Sequence, residues 1–451
     1  MRKVFLHKDS VLFLLSLALE QAIVASSTLW LVALSKAISS GGGLLLPFLG
    51  FAASLTLVYI PSVWRRTWLS RAKNTALKRY VGLCVDGLFC TPHLYRSKKF
   101  QHEKKGFIET ESFLVLDEAF DFADYFLGLA ANVTFNILAL CLAFGGRLLL
   151  AYLAAAVIGL VMTSVFSRRV KGDAIAMQQA RTGAYSSLGD AWDAISLGNS
   201  YNLSLWQKFF GAKLDDYRAK TARAVFNIEA FTSVTLWLSI IPPLALMAHI
   251  MFSGGSDIAT KTVVLATLPR QIQITQYIAD LVNCLLKLGA VRERLRVLLG
   301  VPQLPADTAG MTGKVDFSRT SCTGPGGLQV ALETFTPPPA GRFTVRGANG
   351  AGKTTLLLNL KNKNPRDSVI LPAHNRLHFN STRGQDLSTG QTALKVLEEL
   401  CGLPQLKLVL LDEWDANLDA ENMGRIDAAV ARLAQTCCVV EIRHREGNAN
   451  V

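Results

Sequence analysis

Charge is scarce in this chain of 451 residues: 18% are Asp, Glu, Lys or Arg, against 50% hydrophobic, and the mean hydropathy is +0.28. So little charge argues against a wholly soluble chain and for several membrane spans joined to a soluble part. Acidic charge is the scarcer sign, with 34 Asp and Glu to 47 Lys and Arg and a formal net charge of +13. The basic residues cluster between apolar runs, a placement that sets membrane orientation, and no nucleic acid is expected as a partner. Paired cysteines are lacking too. Cys84, Cys90, Cys141, Cys284, Cys322, Cys401, Cys437 and Cys438 never take CxxC spacing, which removes a zinc site; they read as reduced and structural. A cleaved leader is not expected: Arg2 and Lys3 precede an apolar run, but it continues from Val11 to about Leu34 and reads as a first transmembrane helix. An acid-poor, Arg/Ser-rich transit segment is missing as well, so the expected location is a bacterial inner (plasma) membrane.

What is present is apolar length. Six stretches approach or exceed the ~20 residues a helix needs to cross a bilayer. They cover roughly 10–35, 45–64, 123–144, 147–167, 227–252 and 262–288. The loops between the first and second, third and fourth, and fifth and sixth are short and glycine-bearing, at Gly41-Gly42-Gly43, Gly145-Gly146 and Gly254-Gly255. The other two connections are long and basic. Residues 65–117 hold eleven Lys or Arg and residues 168–225 hold nine. The positive-inside rule places both long connections and both termini in the cytoplasm. Helices that continue into the cytoplasm in this way could carry force from a soluble motor.

The sixth stretch carries Arg270, Gln273, Tyr277, Asp280 and Asn283 at spacings that put them on one helical face. Polar groups inside a span are costly, and two readings stand: they line a water-filled path for a polar or amphipathic solute, or they pack polar-to-polar against other spans. Glu20-Gln21 in the first stretch is a fainter instance.

Composition changes at Val301. The expected domains are a transmembrane domain over 1–300 with six helices and two cytoplasmic extensions, a linker over 301–312, and a nucleotide-binding domain over 313–451. An apolar strand pattern over 341–345 leads into Gly347-Ala-Asn-Gly-Ala-Gly-Lys-Thr354, which fits GxxxxGK(S/T) without mismatch, and Thr355 opens a helical pattern. The chemistry follows from the residue types. Gly347, Asn349, Gly350, Ala351 and Gly352 would turn backbone N–H groups toward phosphate oxygens at a helix N-terminus, with Thr355 the next residue inward. Lys353 can reach the outer phosphates, and the Thr354 hydroxyl can ligate Mg²⁺. Leu408-Val-Leu-Leu411 then reads as a buried parallel strand ending in Asp412 and Glu413, at the ligand crevice of an open α/β sheet. Asp412 would hold Mg²⁺ and Glu413 would act as general base toward water. A further strand over 437–442 leads to His444, which can face the terminal phosphate.

Leu387-Ser-Thr-Gly-Gln391 resembles the signature LSGGQ of ABC transporters, with Thr389 substituted, and is preceded by Gly384-Gln-Asp as in the family's GxxLSGGQ. Asp412-Glu-Trp-Asp-Ala-Asn-Leu-Asp419 resembles the family's DExTSALD, and His444 matches its switch histidine. The motif order and the six preceding spans are similar to the export-type half-transporters. The fold this implies is multidomain: a six-helix all-α membrane domain followed by a P-loop α/β domain with a reduced helical subdomain. The resemblance further implies ATP and Mg²⁺ as cofactors, two cassettes paired head to tail, and ATP held between the phosphate loop of one and Ser388, Gly390 and Gln391 of the other. Asp419 would lie in the D-loop, and Glu413 and His444 would support hydrolysis. With one cassette per chain, the implied partner is a second copy or a homologous half-transporter.

The chain departs from the family in three places. Only thirty-three residues separate Lys353 from Leu387, so the helical subdomain is cut short. Leu371-Pro-Ala-His374 stands where the Q-loop glutamine is expected, with His374 or Asn375 as substitutes. No aromatic occupies the adenine position near Ser321; Phe317 is the nearest. The expected function is ATP-driven export of a polar or amphipathic solute, a peptide among the candidates, through a lipid membrane. The alternatives are a lipid or lipid-linked flippase and an ATP-gated regulator that transports nothing.

Overall fold

The structure is a computed structural model that describes residues 2–89, 91–92, 95, 108, 111–144, 147–189, 191–253, 258–302, 315–372, 377–383, 387–415 and 420–443. The chain divides into two compact units, Met1–Tyr80 with Ser112–Leu299, and Val81–Glu111 with Gly300–Val451. Each is described by itself.

The first unit is helical. A single turn, Arg2–Phe5, leads into α1 (Lys8–Ser40). The ring of His7 caps α1 by accepting from the Ser10 N–H at 3.3 Å. Gly41 ends the helix in the left-handed region at φ 69°, the conformation that costs glycine least. α2 (Leu45–Leu57) and α3 (Tyr59–Leu88) follow almost without a break, then α4 (Ser112–Phe144), α5 (Arg147–Ser186), a short α6 (Ala191–Ser196), α7 (Ser200–Phe252) and α8 (Ile258–Gly300).

Among the described residues, six helical stretches are long and apolar enough to cross a membrane, and each overlaps one of the six runs read from the sequence. Hydropathy summed over some twenty residues is a strong signal, which is why this level was legible. α7 keeps its helix through Pro242 and Pro243. Such breaks survive in membrane helices where neighbouring groups re-satisfy the freed carbonyls. α1 packs against α2 and α4, and α5 packs along α7 well beyond the length of a span.

The second unit holds a five-stranded mixed sheet of β1 (Thr320–Thr323), β2 (Gly341–Gly347), β3 (Ser368–Leu371), β4 (Leu408–Asp412) and β5 (Cys438–Ile442), in the order β1-β2-β5-β4-β3. Only β1 runs antiparallel; the other pairs are parallel. Three helices flank it: α9 (Lys353–Lys363), α10 (Thr389–Cys401) and α11 (Ala420–Thr436). Alternation along β4 sends Leu408 and Leu410 to one face, where they pack with Leu356, Leu357 and Leu360 of α9. Val409 and Leu411 go to the other face, against Leu397 and Leu400 of α10 and Val430 and Leu433 of α11. Every residue of β4 and β5 is buried, as a strand covered by helices on both faces requires. Burial of each such Leu or Val stabilises by about 1.5–3 kcal/mol.

Candidate functional site

The glycine loop lies between the carboxyl end of β2 and the first turn of α9. Gly350 and Gly352 take φ of 83° and 90°, the left-handed region that a Cβ disfavours. Gly352 is the N-cap of α9, so the helix begins at Lys353 with its positive dipole end on the loop. Gly347, Asn349 and Gly350 are exposed, Ala351 and Thr355 are buried, and Gly352, Lys353 and Thr354 are half-buried. Lys353 Nζ donates to the carbonyls of Gly347 at 2.8 Å and Ala348 at 3.3 Å, which folds its ammonium over the loop. The Asp316 N–H donates to the Ala351 carbonyl at 3.1 Å and ties the segment before β1 to the same loop. Phe317, just after it, packs against the core on the α9 side.

β4 ends beside this loop, across β5. The Thr354 hydroxyl donates to Asp412 Oδ1 at 3.2 Å. A hydroxyl and a buried carboxylate therefore meet at the carboxyl ends of two parallel strands, beside the glycine loop. Oxygen ligands of this type suit Mg²⁺, which takes one or two protein groups and completes its shell with phosphate and water. Glu413 follows, half-buried, with φ of 50°. A non-glycine residue in that region carries about 1–2 kcal/mol of strain; its N–H donates to the Ile442 carbonyl at 3.0 Å, which holds it there. Strain at the residue after a metal-type carboxylate is a feature of functional sites.

The signature-like segment has a local role of its own. Ser388 is the N-cap of α10: its hydroxyl accepts from the Gln391 N–H at 3.3 Å, while Gln391 Oε1 accepts from the Ser388 N–H at 3.2 Å. That reciprocal pair is a capping box. Gly390 is buried, and a Cβ there would meet the Asn422 side chain of α11 at 3.0 Å. α10 packs on the sheet face opposite α9. Within one chain, then, the helix that opens at the glycine loop and the helix that opens at Ser388 belong to opposite faces. Asp419, His444, His374 and Asn375 lie outside the described residues, as does Gly384-Gln-Asp.

Sequence reasoning passed over a charged cluster next to this site. Glu441 is 1% exposed in the middle of β5. It accepts from Arg342 Nε at 2.9 Å, Thr344 Oγ1 at 2.8 Å, Trp414 Nε1 at 3.0 Å and Arg443 Nε at 3.1 Å. Arg342 and Arg443 both also donate to Asp427 of α11, and the Arg443 guanidinium lies 5.2 Å from the Trp414 ring centroid. Burial pushes the Asp427 carboxyl up, but the hydrogen bonds and charges of Arg342 and Arg443 outweigh it and hold the group below the usual carboxylate range. Trp414 follows Glu413 in the chain, so the cluster holds the turn after β4. The available signal was the lone carboxylate in the apolar run Cys437–Ile442.

In the helical unit, the polar face of α8 meets other helices. Arg270 Nε donates to Asn136 Oδ1 at 3.1 Å and Thr28 Oγ1 at 3.3 Å, Nη1 to Gln273 Oε1 at 2.9 Å, and Nη2 to the Val24 carbonyl at 3.1 Å. Gln273 Nε2 donates to the Tyr277 hydroxyl at 2.8 Å, and Asn283 Nδ2 to Thr232 Oγ1 at 3.2 Å. Asn132 joins Gln21 at 2.7 Å. The stripe thus forms part of a hydrogen-bonded web among α1, α4, α7 and α8, with Asp280 half-buried one turn beyond Tyr277. Among the described residues, no carboxylate forms an ion pair with Arg270.

No protein-family model matches this sequence, and no curated protein matches it.

Proposed function

We propose that the chain is an ABC-type half-transporter: six membrane spans followed by a shortened ATP-binding cassette, hydrolysing ATP as a dimer to export a polar or amphipathic solute. The single observation that carries this reading is the Thr354–Asp412 hydrogen bond at 3.2 Å, beneath a glycine loop whose Gly350 and Gly352 hold left-handed φ. The loop's N–H groups and Lys353 would take the phosphates, and Thr354 and Asp412 would hold Mg²⁺, which when bound neutralises charge on the transferred phosphoryl group. Glu413 would accept a proton from the attacking water, and His444 would face the terminal phosphate. Ser388, Gly390 and Gln391 would close the site of the other copy. The α8 web around Arg270, Gln273, Tyr277 and Asp280 would open to form the solute path. The orientation, cassette in the cytoplasm, rests on the charge of the long connections.

Purified protein in lipid should hydrolyse ATP, and Glu413→Gln should lower the turnover by about 10²–10⁴-fold while ATP still binds. A wild type that binds ATP and never turns it over, alone or with lipid, would reduce the cassette to a switch and remove the transport reading.

A further inference from the structure

Between α1 and α3 lies a groove of about 500 Å³. Two polar pins bound it. At one end the Thr75 hydroxyl donates to Asp9 Oδ2 at 2.6 Å; at the other, Arg65 Nε lies 3.1 Å from Glu20 Oε2. The pins are eleven residues apart on α1, roughly 16 Å of helix. Leu12, Leu15 and Leu19 line one wall, and Trp64, Trp68 and Arg71 the other, each set at helical spacing. The two helices run in opposite directions, so Leu19 stands with Trp64 and Leu12 with Arg71. The groove is apolar at its Glu20 end and cationic at its Asp9 end. Leu15 is 61% and Trp64 53% exposed, so the walls are uncovered by the protein.

The lining hydroxyls are already engaged: those of Ser16 and Thr67 donate to their own helices, at Leu12 and Val63. Arg65 pairs with Glu20 and Asp124, and Lys73 with Asp117 and Asp121. Arg71 differs: its guanidinium lies 4.8 Å from the Trp68 ring centroid, and among the described residues no carboxylate forms an ion pair with it. The ring fixes the guanidinium in place and leaves its N–H fork for an outside acceptor. No lining residue is acidic, and the Asp9 carboxylate that bounds this end already accepts from Thr75, so the charge lining the groove is that of Arg71.

We propose that this groove holds an anionic phospholipid, its phosphate on Arg71 at the Leu12 end, its ester region against Trp68 and Leu15, and one acyl chain running on past Leu19 and Trp64. Trp68 stands where an amphipathic ring meets a headgroup. The site is independent of nucleotide chemistry in the other unit.

The test uses the full chain in detergent, by native mass spectrometry and thermal melting against micelles containing phosphatidylglycerol or phosphatidylcholine. Wild type should retain phosphatidylglycerol about fivefold over phosphatidylcholine, the weight of one cation at a membrane surface, and melt higher with it. Arg71→Gln should erase that preference. Leu15→Trp, which fills the groove and keeps Arg71, should lower retention of both lipids. Lys78→Gln, outside the groove on the same helix, should leave the preference intact. Equal retention of the two lipids by wild type, or an undiminished preference in Arg71→Gln, overturns the proposal. Sodium phosphate alone raising the melting temperature as far as phosphatidylglycerol would also overturn it, by making the site one for a bare anion.

Discussion

Glu441 shows how much a single side chain can hold. Its carboxylate receives Arg342, Thr344, Trp414 and Arg443, from strand β2, from the turn after β4 and from the residue after β5. With both guanidiniums also on Asp427, two acids and two bases share one partly buried site and no charge stands alone. Removing one member of such a cluster costs more than the net worth of any pair, because the remaining charges stay desolvated. Glu441→Ala should therefore destabilise the second unit by about 3–5 kcal/mol. Glu441→Gln, which keeps acceptor geometry for part of the set, should cost less. Calorimetric melting of the full chain, in the presence and absence of ATP, reads both. A loss within 1 kcal/mol of wild type for Glu441→Ala would mean that Asp427 alone can hold the two arginines.

At the scale of elements, α10 carries two readings at one residue. Ser388 caps the helix, and by resemblance it also meets the terminal phosphate held by another copy. Ser388→Ala removes the cap and should cost about 1 kcal/mol of stability. Ser388→Asp keeps the cap, since aspartate accepts from the same N–H groups, but sets a carboxylate toward phosphate. If Ser388 only caps, stability falls in the alanine variant and ATP hydrolysis survives in both. If it meets phosphate, the aspartate variant keeps its melting temperature and loses hydrolysis; that is the expected result. The same segment shows what the sequence made readable. The six spans were legible because each is a sum over a long window, and the glycine loop because eight consecutive residues carry it. The capping box was not read from the sequence, where Ser388 and Gln391 stood only in the signature resemblance; its reciprocal bonds appear in the structure. The Glu441 cluster and the α1–α3 groove were hidden for another reason. Each depends on residues brought together by strand register or by two helix faces meeting, and neither pairing is written in any local run.

At the scale of the whole molecule, the two faces of the sheet carry different helix starts. α9, with the glycine loop at its start, packs on one face; α10, with Ser388 at its start, packs on the other. If the second helix start is supplied by another copy, as the family resemblance implies, the functional unit holds two composite sites related by a two-fold axis. Mixing variants reads this directly. Lys353→Ala disables the glycine loop of its own chain, and Ser388→Asp disables the other half-site. Each variant alone should be inactive, because both of its composite sites contain one damaged half. Co-expressed, they form mixed dimers in which one site carries both lesions and the other carries none. Equal co-expression should then restore about a quarter of the wild-type rate if the sites act independently, since half the dimers are mixed and each has one sound site. Activity returned by mixing two dead proteins has no source within a single chain. A mixture as inactive as its parents, with mixed dimers present by mass, would place each site within one chain or require both sites intact, and so exclude independent composite sites.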